Sequence, residues 1–279
     1  MSIKERVIEA VDGIKILRGE KIFSPVNPKG YYIFDCNTTI VEGENGKFVD
    51  LIDPGFYRKN DPLFEEKKEF FESLNVRNIF LTHRHFDHFA IMNVLKYSGK
   101  VFAYPITDEA IQYHPGFTTG HINFFDVMKT YFDIDPALLR HYQAEFIEEG
   151  EVEIGRFKFR VIHTPGHTPD SITYFLEDKG LAVVGDLLVA FVRKNGEELI
   201  KAGTLRPQGS NCFDLFRSLE KIKELPVKMI VPGHGVPLLN EEKVEKIKRE
   251  LPHLFYNVVH EYIHSKSQGE RFRVEKGKN

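Results

Sequence analysis

Residues 82–88 read Thr82-His83-Arg84-His85-Phe86-Asp87-His88, three imidazoles and a carboxylate within six positions, directly after the apolar run Ile79-Phe80-Leu81. Imidazole nitrogen and carboxylate oxygen are donors that suit zinc and, after it, iron, manganese and cobalt. His83 and His85, two apart on an extended loop, project to the same side and can share one ion. Asp87 and His88 fall in the first turn of a helix expected over 86–97, where the helix dipole favours an ionised carboxylate. A purely structural purpose for such a cluster is hard to find, because buried polar groups without partners are costly.

Working outward, three further donors each follow a short apolar strand and are expected in a turn. His167 stands in His163-Thr164-Pro165-Gly166-His167-Thr168-Pro169-Asp170 after a strand at 157–162. Asp186 stands in Gly185-Asp186 after 181–184, and His234 in Pro232-Gly233-His234-Gly235 after 229–231. Alone, each would more often be a turn residue than a ligand; beside the 83–88 cluster they gain its weight. Strand ends converging on one edge would gather His83, His85, Asp87, His88, His167, Asp186 and His234, enough for two ions with one carboxylate bridging.

The remaining chain supplies the scaffold. Runs at 14–17, 31–41 and 48–52 read as strands of an antiparallel meander, the last closed by the turn Asp53-Pro54-Gly55. Residues 61–74 fit an amphipathic helix with Asp61 as N-cap and Pro62 at the first helical position. Strands are expected at 78–81, 101–103, 151–154 and 172–176, and helices at 214–225 and 241–264, with Pro252 tolerated or kinking the second of these. The last 15 residues read as a solvated tail. Residues 105–147, rich in Phe and Tyr without a clean period, read as a partly helical insertion into one domain spanning 1–279. His114, His121 and His141 within it are read as surface or wall residues, and His163 as facing the core or a neighbouring strand. Two halves of strands with flanking helices imply an α+β architecture, two mixed sheets packed together with helices outside.

Composition narrows the function. The 279 residues are 42% hydrophobic and 28% charged, and 38 Lys and Arg against 41 Asp and Glu give a formal charge of −3. That balance offers no basic footprint for a nucleic-acid backbone. Cys36 and Cys212 form no CxxC pair, so neither a disulfide framework nor a thiolate metal site is indicated, and a reducing cytoplasm is the expected setting. No signal peptide or membrane span is read, the longest apolar stretch being broken by Gly185 and Asp186.

The ThrHisArgHisPheAspHis segment, the ThrProGlyHisThrPro segment, the GlyAsp after an apolar strand and the final ProGlyHisGly, in this order, resemble the successive motifs of the metallo-β-lactamase superfamily. The resemblance runs from the Asp53 turn to His234. It implies an αββα four-layer sandwich with a dinuclear centre: His83, His85 and His167 around a first metal, Asp87, His88 and His234 around a second, Asp186 bridging, and Asp53 supporting the ligands from behind. The sequence departs from the family pattern at Phe89-Ala90 and at Asp170-Ser171, both bordering the substrate side.

Two divalent cations sharing a water lower its pKa towards neutrality, so no protein nucleophile is needed, and no GxSxG elbow is present. The expected reaction is hydroxide attack on a carbonyl, with Asp87 orienting the nucleophile or carrying its proton. Zinc is the first choice of metal, with iron or manganese as alternatives. The aromatic insertion reads either as an apolar wall over the metal edge or as a homodimer interface. A small ester, thioester or lactone is the expected substrate. The alternatives are a phosphodiesterase or nuclease of the same fold, an iron-dependent persulfide dioxygenase using only the first ligand set, and a non-catalytic metal-binding scaffold with a closed coordination shell.

Overall fold

Alternating burial dictates the layering. In the strand Leu181–Val192, Leu181 and Val183 pack into one apolar cluster while Ala182 and Val184 pack into another, so this strand is covered on both faces. The computed structural model describes residues 2–19, 21–23, 32–57, 61–105, 118–119, 122–123, 144–192, 198–203 and 210–276. Its strands are β1 (Val7–Val11), β2 (Ile14–Leu17), β3 (Lys21–Phe23), β4 (Tyr32–Phe34), β5 (Thr38–Glu42), β6 (Val49–Ile52), β7 (Val76–Phe80), β8 (Val101–Ala103), β9 (Thr118–Thr119), β10 (Ile122–Asn123) and β11 (Ala144–Phe146). They continue with β12 (Gly150–Ile154), β13 (Phe157–His163), β14 (Ile172–Leu176), β15 (Leu181–Val192), β16 (Glu198–Ala202) and β17 (Met229–Gly235). The helices are α1 (Ile3–Arg6), α2 (Pro62–Ser73), α3 (Phe86–Phe89), α4 (Cys212–Glu224) and α5 (Glu241–Lys276).

The first sheet runs β1-β2-β5-β6-β7-β8-β11, antiparallel as far as β6 and parallel beyond it. The second runs β12-β13-β14-β15, antiparallel throughout, and β15 also carries β16 antiparallel and β17 parallel. Three apolar layers hold the stack. Phe64 and Phe71 of α2 pack on Leu51 and Ile79 of the first sheet. Ile14, Ile16 and Phe80 meet Phe159, Tyr174 and Val183 between the sheets, where Phe80 stacks on Phe102 with ring centroids 4.8 Å apart. Leu215, Leu219 and Ile222 of α4, with Val244, Ile247 and Leu251 of α5, cover Phe175, Ala182 and Ile230. This is the αββα sandwich that the sequence implies. Among the described residues no helix is long and apolar enough to cross a membrane.

Helix α2 forms where expected because the Asp61 carboxylate accepts from the Leu63 amide and Pro62 occupies the first turn. Several boundaries differ from the sequence reading. The run 31–41 is two strands, parted at Asp35-Cys36-Asn37. The helix expected over 86–97 is a single α turn at Phe86–Phe89 followed by a 3₁₀ turn at Ala90–Asn93. Strand β15 does not stop at Val184 but bends through Gly185, whose φ of +52° marks a register shift, and runs on to Val192. Helix α5 continues to Lys276, so most of the expected solvated tail is helical backbone. Most of the 105–147 insertion lies outside the described residues. Its last strand, β11, pairs in parallel with β8 and thus belongs to the first sheet.

Candidate metal centre

The site forms at one edge of the sandwich, where the chain leaves β7 and β13 and where β15 and β17 pass. Two hydrogen bonds join the sheets there: Ile172 N donates to Thr82 O at 2.8 Å, and the buried Tyr174 hydroxyl donates to Leu81 O at 3.0 Å. His83 and His85 leave the end of β7, Asp87 and His88 sit in α3, and His167 lies in the loop after β13. Asp186 and His234 stand inside β15 and β17, not in the turns expected after them, because each strand continues past its glycine.

All seven residues come together in two groups whose donor atoms lie within 4.8 Å of one another: His83, His85, His167 and Asp186, and Asp87, His88 and His234. The Asp186 carboxylate spans them. Its Oδ2 lies 3.3 Å from His167 Nε2, while its Oδ1 lies 3.4 Å from both His88 Nε2 and His234 Nε2. His167 Nε2 is 3.0 Å from His85 Nδ1, and His234 Nε2 is 3.2 Å from Asp87 Oδ2. Glycine allows this approach: a Cβ on Gly233 would fall 2.1 Å from Asp186 Oδ1.

Polar supports aim the rings. Asp53, held at a positive φ of +53°, accepts from the Thr82 amide at 2.8 Å and the Thr82 hydroxyl at 2.6 Å, and its Oδ2 is 2.8 Å from His88 Nδ1. With the Thr82 proton spent on Asp53, Thr82 Oγ1 is left to accept from His83 Nδ1, 3.1 Å away. Both contacts aim Nε2 towards the centre. Indeed His83 Nε2 is buried with no hydrogen-bond partner, and His88 Nε2 and Asp186 Oδ1, 3.4 Å apart, also lack a hydrogen bond, an arrangement that a cation would complete.

The charges agree with that geometry. Burial and the neighbouring His88 and His85 push His83 well below the ordinary imidazole range, keeping it neutral. Burial opposes ionisation of Asp186, yet the charges on His234 and His88 hold it well below the usual carboxylate range. Burial likewise opposes ionisation of Asp87, and His234 outweighs it, bringing Asp87 to about 2. In turn, against the pull of burial, Asp186 and Asp87 raise His234 to about 10, while Asp53 and Asp186 raise His88. Without a cation the cluster thus stores protons on the second group's imidazoles. Five imidazoles and two carboxylates fit divalent zinc, iron or manganese.

The sequence model described as Metallo-beta-lactamase superfamily matches residues 31–234. The chain belongs to the metallo-beta-lactamase superfamily. Among members of that superfamily and its neighbours, it is 28% identical over 179 residues to the probable metallo-hydrolase YqjP of Bacillus subtilis, covering 59% of this chain and 56% of that protein. It is also 28% identical over 177 residues to a hydroxyacylglutathione hydrolase of Hahella chejuensis, covering 63% of this chain and 52% of that protein. The chain therefore spans little more than half the length of these two relatives. A metallo-beta-lactamase family protein of Thermus thermophilus, TTHA1429, shares the fold with a TM-score of 0.58 at 16% identity, over 87% of this chain and 80% of that one.

Other residues singled out in the sequence have structural places. His163 stacks on Tyr104, centroids 4.3 Å apart, and its Nε2 lies 2.7 Å from Pro169 O, so it braces the His167 loop. Cys36 is buried and Cys212 half-buried, both as free thiols. His114, His121 and His141 lie outside the described residues. Sequence reasoning passed over several supports: Asp170, whose Oδ2 accepts from the Arg84 amide at 3.0 Å; Ser210, whose hydroxyl donates to His167 O at 2.9 Å; and Asp35 with Lys67. Lys67 did leave a signal, since it falls at helical spacing between the apolar Phe64 and Phe71.

Proposed function

We propose that this chain is a metal-dependent hydrolase in which His83, His85 and His167 hold one divalent cation, Asp87, His88 and His234 hold a second, and Asp186 serves both, with a small ester, thioester or lactone as substrate. The observation that carries the reading is the placement of one carboxylate, Asp186, with an oxygen towards each donor group. Bound divalent cations of this kind supply a water acidified towards neutrality and Lewis-acid stabilisation of an oxyanion. The chain's own residues do the rest. Asp87, at about 2, stays ionised at the centre and is placed to accept a hydrogen bond from a water there and orient it, the proton passing on and not resting on so weak a base. Asp53 and Thr82 keep His83 and His88 in the orientation that presents Nε2. Cys36 is no competing nucleophile, because burial and the nearby Asp35 and Asp53 push its thiol up.

Zinc is the first choice among metals on the donor set, followed by iron and manganese. The near-neutral charge balance and the similarity to a hydroxyacylglutathione hydrolase support an acyl substrate over a polyanion. The two free cysteines support a reducing, cytoplasmic setting. The test is a side-by-side hydrolysis assay of zinc-, manganese- and iron-loaded protein on a thioester, a lactone, an aryl ester and a bis-aryl phosphate, with His85→Ala as control. Metal-dependent acyl hydrolysis, lost in the control, is expected. Turnover of the phosphodiester alone would replace this reading with phosphodiester hydrolysis.

A further inference from the structure

Lys67 projects from the middle of α2 into the interior, and its ammonium is held by both oxygens of Asp35, at 2.9 and 2.7 Å, with both side chains only 1% exposed. Helix α2 contributes none of the seven candidate ligands. An ion pair this deep adds little net stability, because desolvating the two charges offsets their attraction, and packed apolar side chains would serve the helix as well. Its position suggests what it does accomplish.

Asp35 opens the three-residue break between β4 and β5, and that break is fastened to the second donor group from several sides. The Asp35 carbonyl oxygen lies 3.3 Å from His234 Nδ1. Two residues on, the Asn37 amide donates to Gly233 O at 2.7 Å and the Asn37 side-chain amide to Pro232 O at 2.8 Å, so the segment leading into His234 is gripped by the same break. Asp35 Oδ1 also accepts from the Phe56 amide at 2.9 Å, and the neighbouring Gly55 amide donates to His88 O at 2.9 Å. Backbone bonds thus run from the ion pair to His234 on one side and to His88 on the other. The first group has its own fastenings: Thr82 on His83, Asp170 on the Arg84 amide, and Ser210 on His167.

We propose that the buried Lys67–Asp35 ion pair is a positioning device for the second donor group, setting His234 and His88 and hence the affinity of that group for its cation, while leaving the first group untouched. This rests on the reading that both groups bind metal. Lys67 meets no reacting atom. It acts by fixing the Asp35 carboxylate, whose own main chain then fixes the imidazoles.

The test uses cobalt(II) and zinc as probes with the full chain. Stepwise affinities come from titration against a competing chelator, and anomalous diffraction from loaded crystals assigns each step to a group. In Lys67→Met, affinity at Asp87, His88 and His234 is expected to fall at least tenfold, with affinity at His83, His85 and His167 within twofold of the unmodified chain. Lys67→Gln, which can still donate one hydrogen bond, is expected to show a smaller loss, about threefold, confined to the same group. It carries the comparison alone if Lys67→Met does not fold. Equal losses at both groups, or second-group affinity within twofold in the variants that fold, would overturn the proposal. An unmodified chain that binds no metal at the second group would instead overturn the reading on which it stands.

Discussion

Asp186 presents its two oxygens to different neighbours, so replacing one of them changes the two groups unequally. In Asp186→Asn one face keeps a carbonyl oxygen and the other receives an amide that cannot ligate, and the shared negative charge is lost. Metal affinity is expected to fall by at least about tenfold, and elemental analysis after gel filtration should find less than the unmodified metal content; full retention would remove Asp186 from the ligand set. Protons give a second handle at this scale. Without metal, His234 titrates at about 10 and Asp87 at about 2, so at pH 7 the imidazole is charged and the carboxylate ionised. A cation needs the neutral ring, and its binding must therefore expel the His234 proton. Apparent affinity should rise with pH between 6 and 9, and calorimetry in two buffers of different ionisation enthalpy should register proton release at pH 7; equal heats in both buffers would contradict the assignment.

At the scale of elements, Gly185 decides whether β15 can carry Asp186 past the centre. Its φ of +52° lies in the left-handed region, and a Cβ there would sit 2.4 Å from Thr82 Oγ1, an atom already fixed by Asp53. Gly185→Ala is expected to cost about 1–3 kcal/mol, read as a lower urea midpoint of the metal-free protein, together with weaker metal binding through the displaced Thr82. An unchanged midpoint would show that the bend relaxes freely. The same glycine explains one limit of sequence reading. A Gly-Asp pair after an apolar run looks like the end of a strand, and only pairing with β16 and β17 reveals that the strand bends and continues. The threefold spacing of Phe86, Phe89, Met92 and Leu95 is a similar case: it is nearer the 3₁₀ period than the α period, and a 3₁₀ turn follows the single α turn. Asp61-Pro62, by contrast, specifies its helix start by local chemistry alone, and α2 begins there. The seven clustered donors were legible because His83, His85, Asp87 and His88 crowd into six positions after an apolar run, and His167, Asp186 and His234 each stand next to a glycine after another. Lys67 left only its place at helical spacing between Phe64 and Phe71, and its pairing with Asp35 was not legible, since it depends on a contact across 32 positions of chain.

Across the whole molecule, the donors are divided between the halves of the sandwich: His83, His85, Asp87 and His88 follow the first sheet, while His167, Asp186 and His234 belong to the second. A cation bound by both halves staples the sheets, so removing it should loosen the entire stack. With free metal a thousandfold above its dissociation constant the gain is about 4 kcal/mol, which corresponds to a melting shift on the order of 10 °C. Scanning calorimetry with and without a strong chelator checks this; coincident transitions would mean that the sheets do not depend on the metal. The parallel pairing of β15 with β17, two strands separated by β16 and α4, bears on how the molecule is made as well as on how it holds. Pairings of that kind close a long loop and form slowly. His234 arrives only with β17, so on the proposed reading the second donor group is expected to be completed late, and cobalt(II) uptake followed during refolding should lag behind burial of the core.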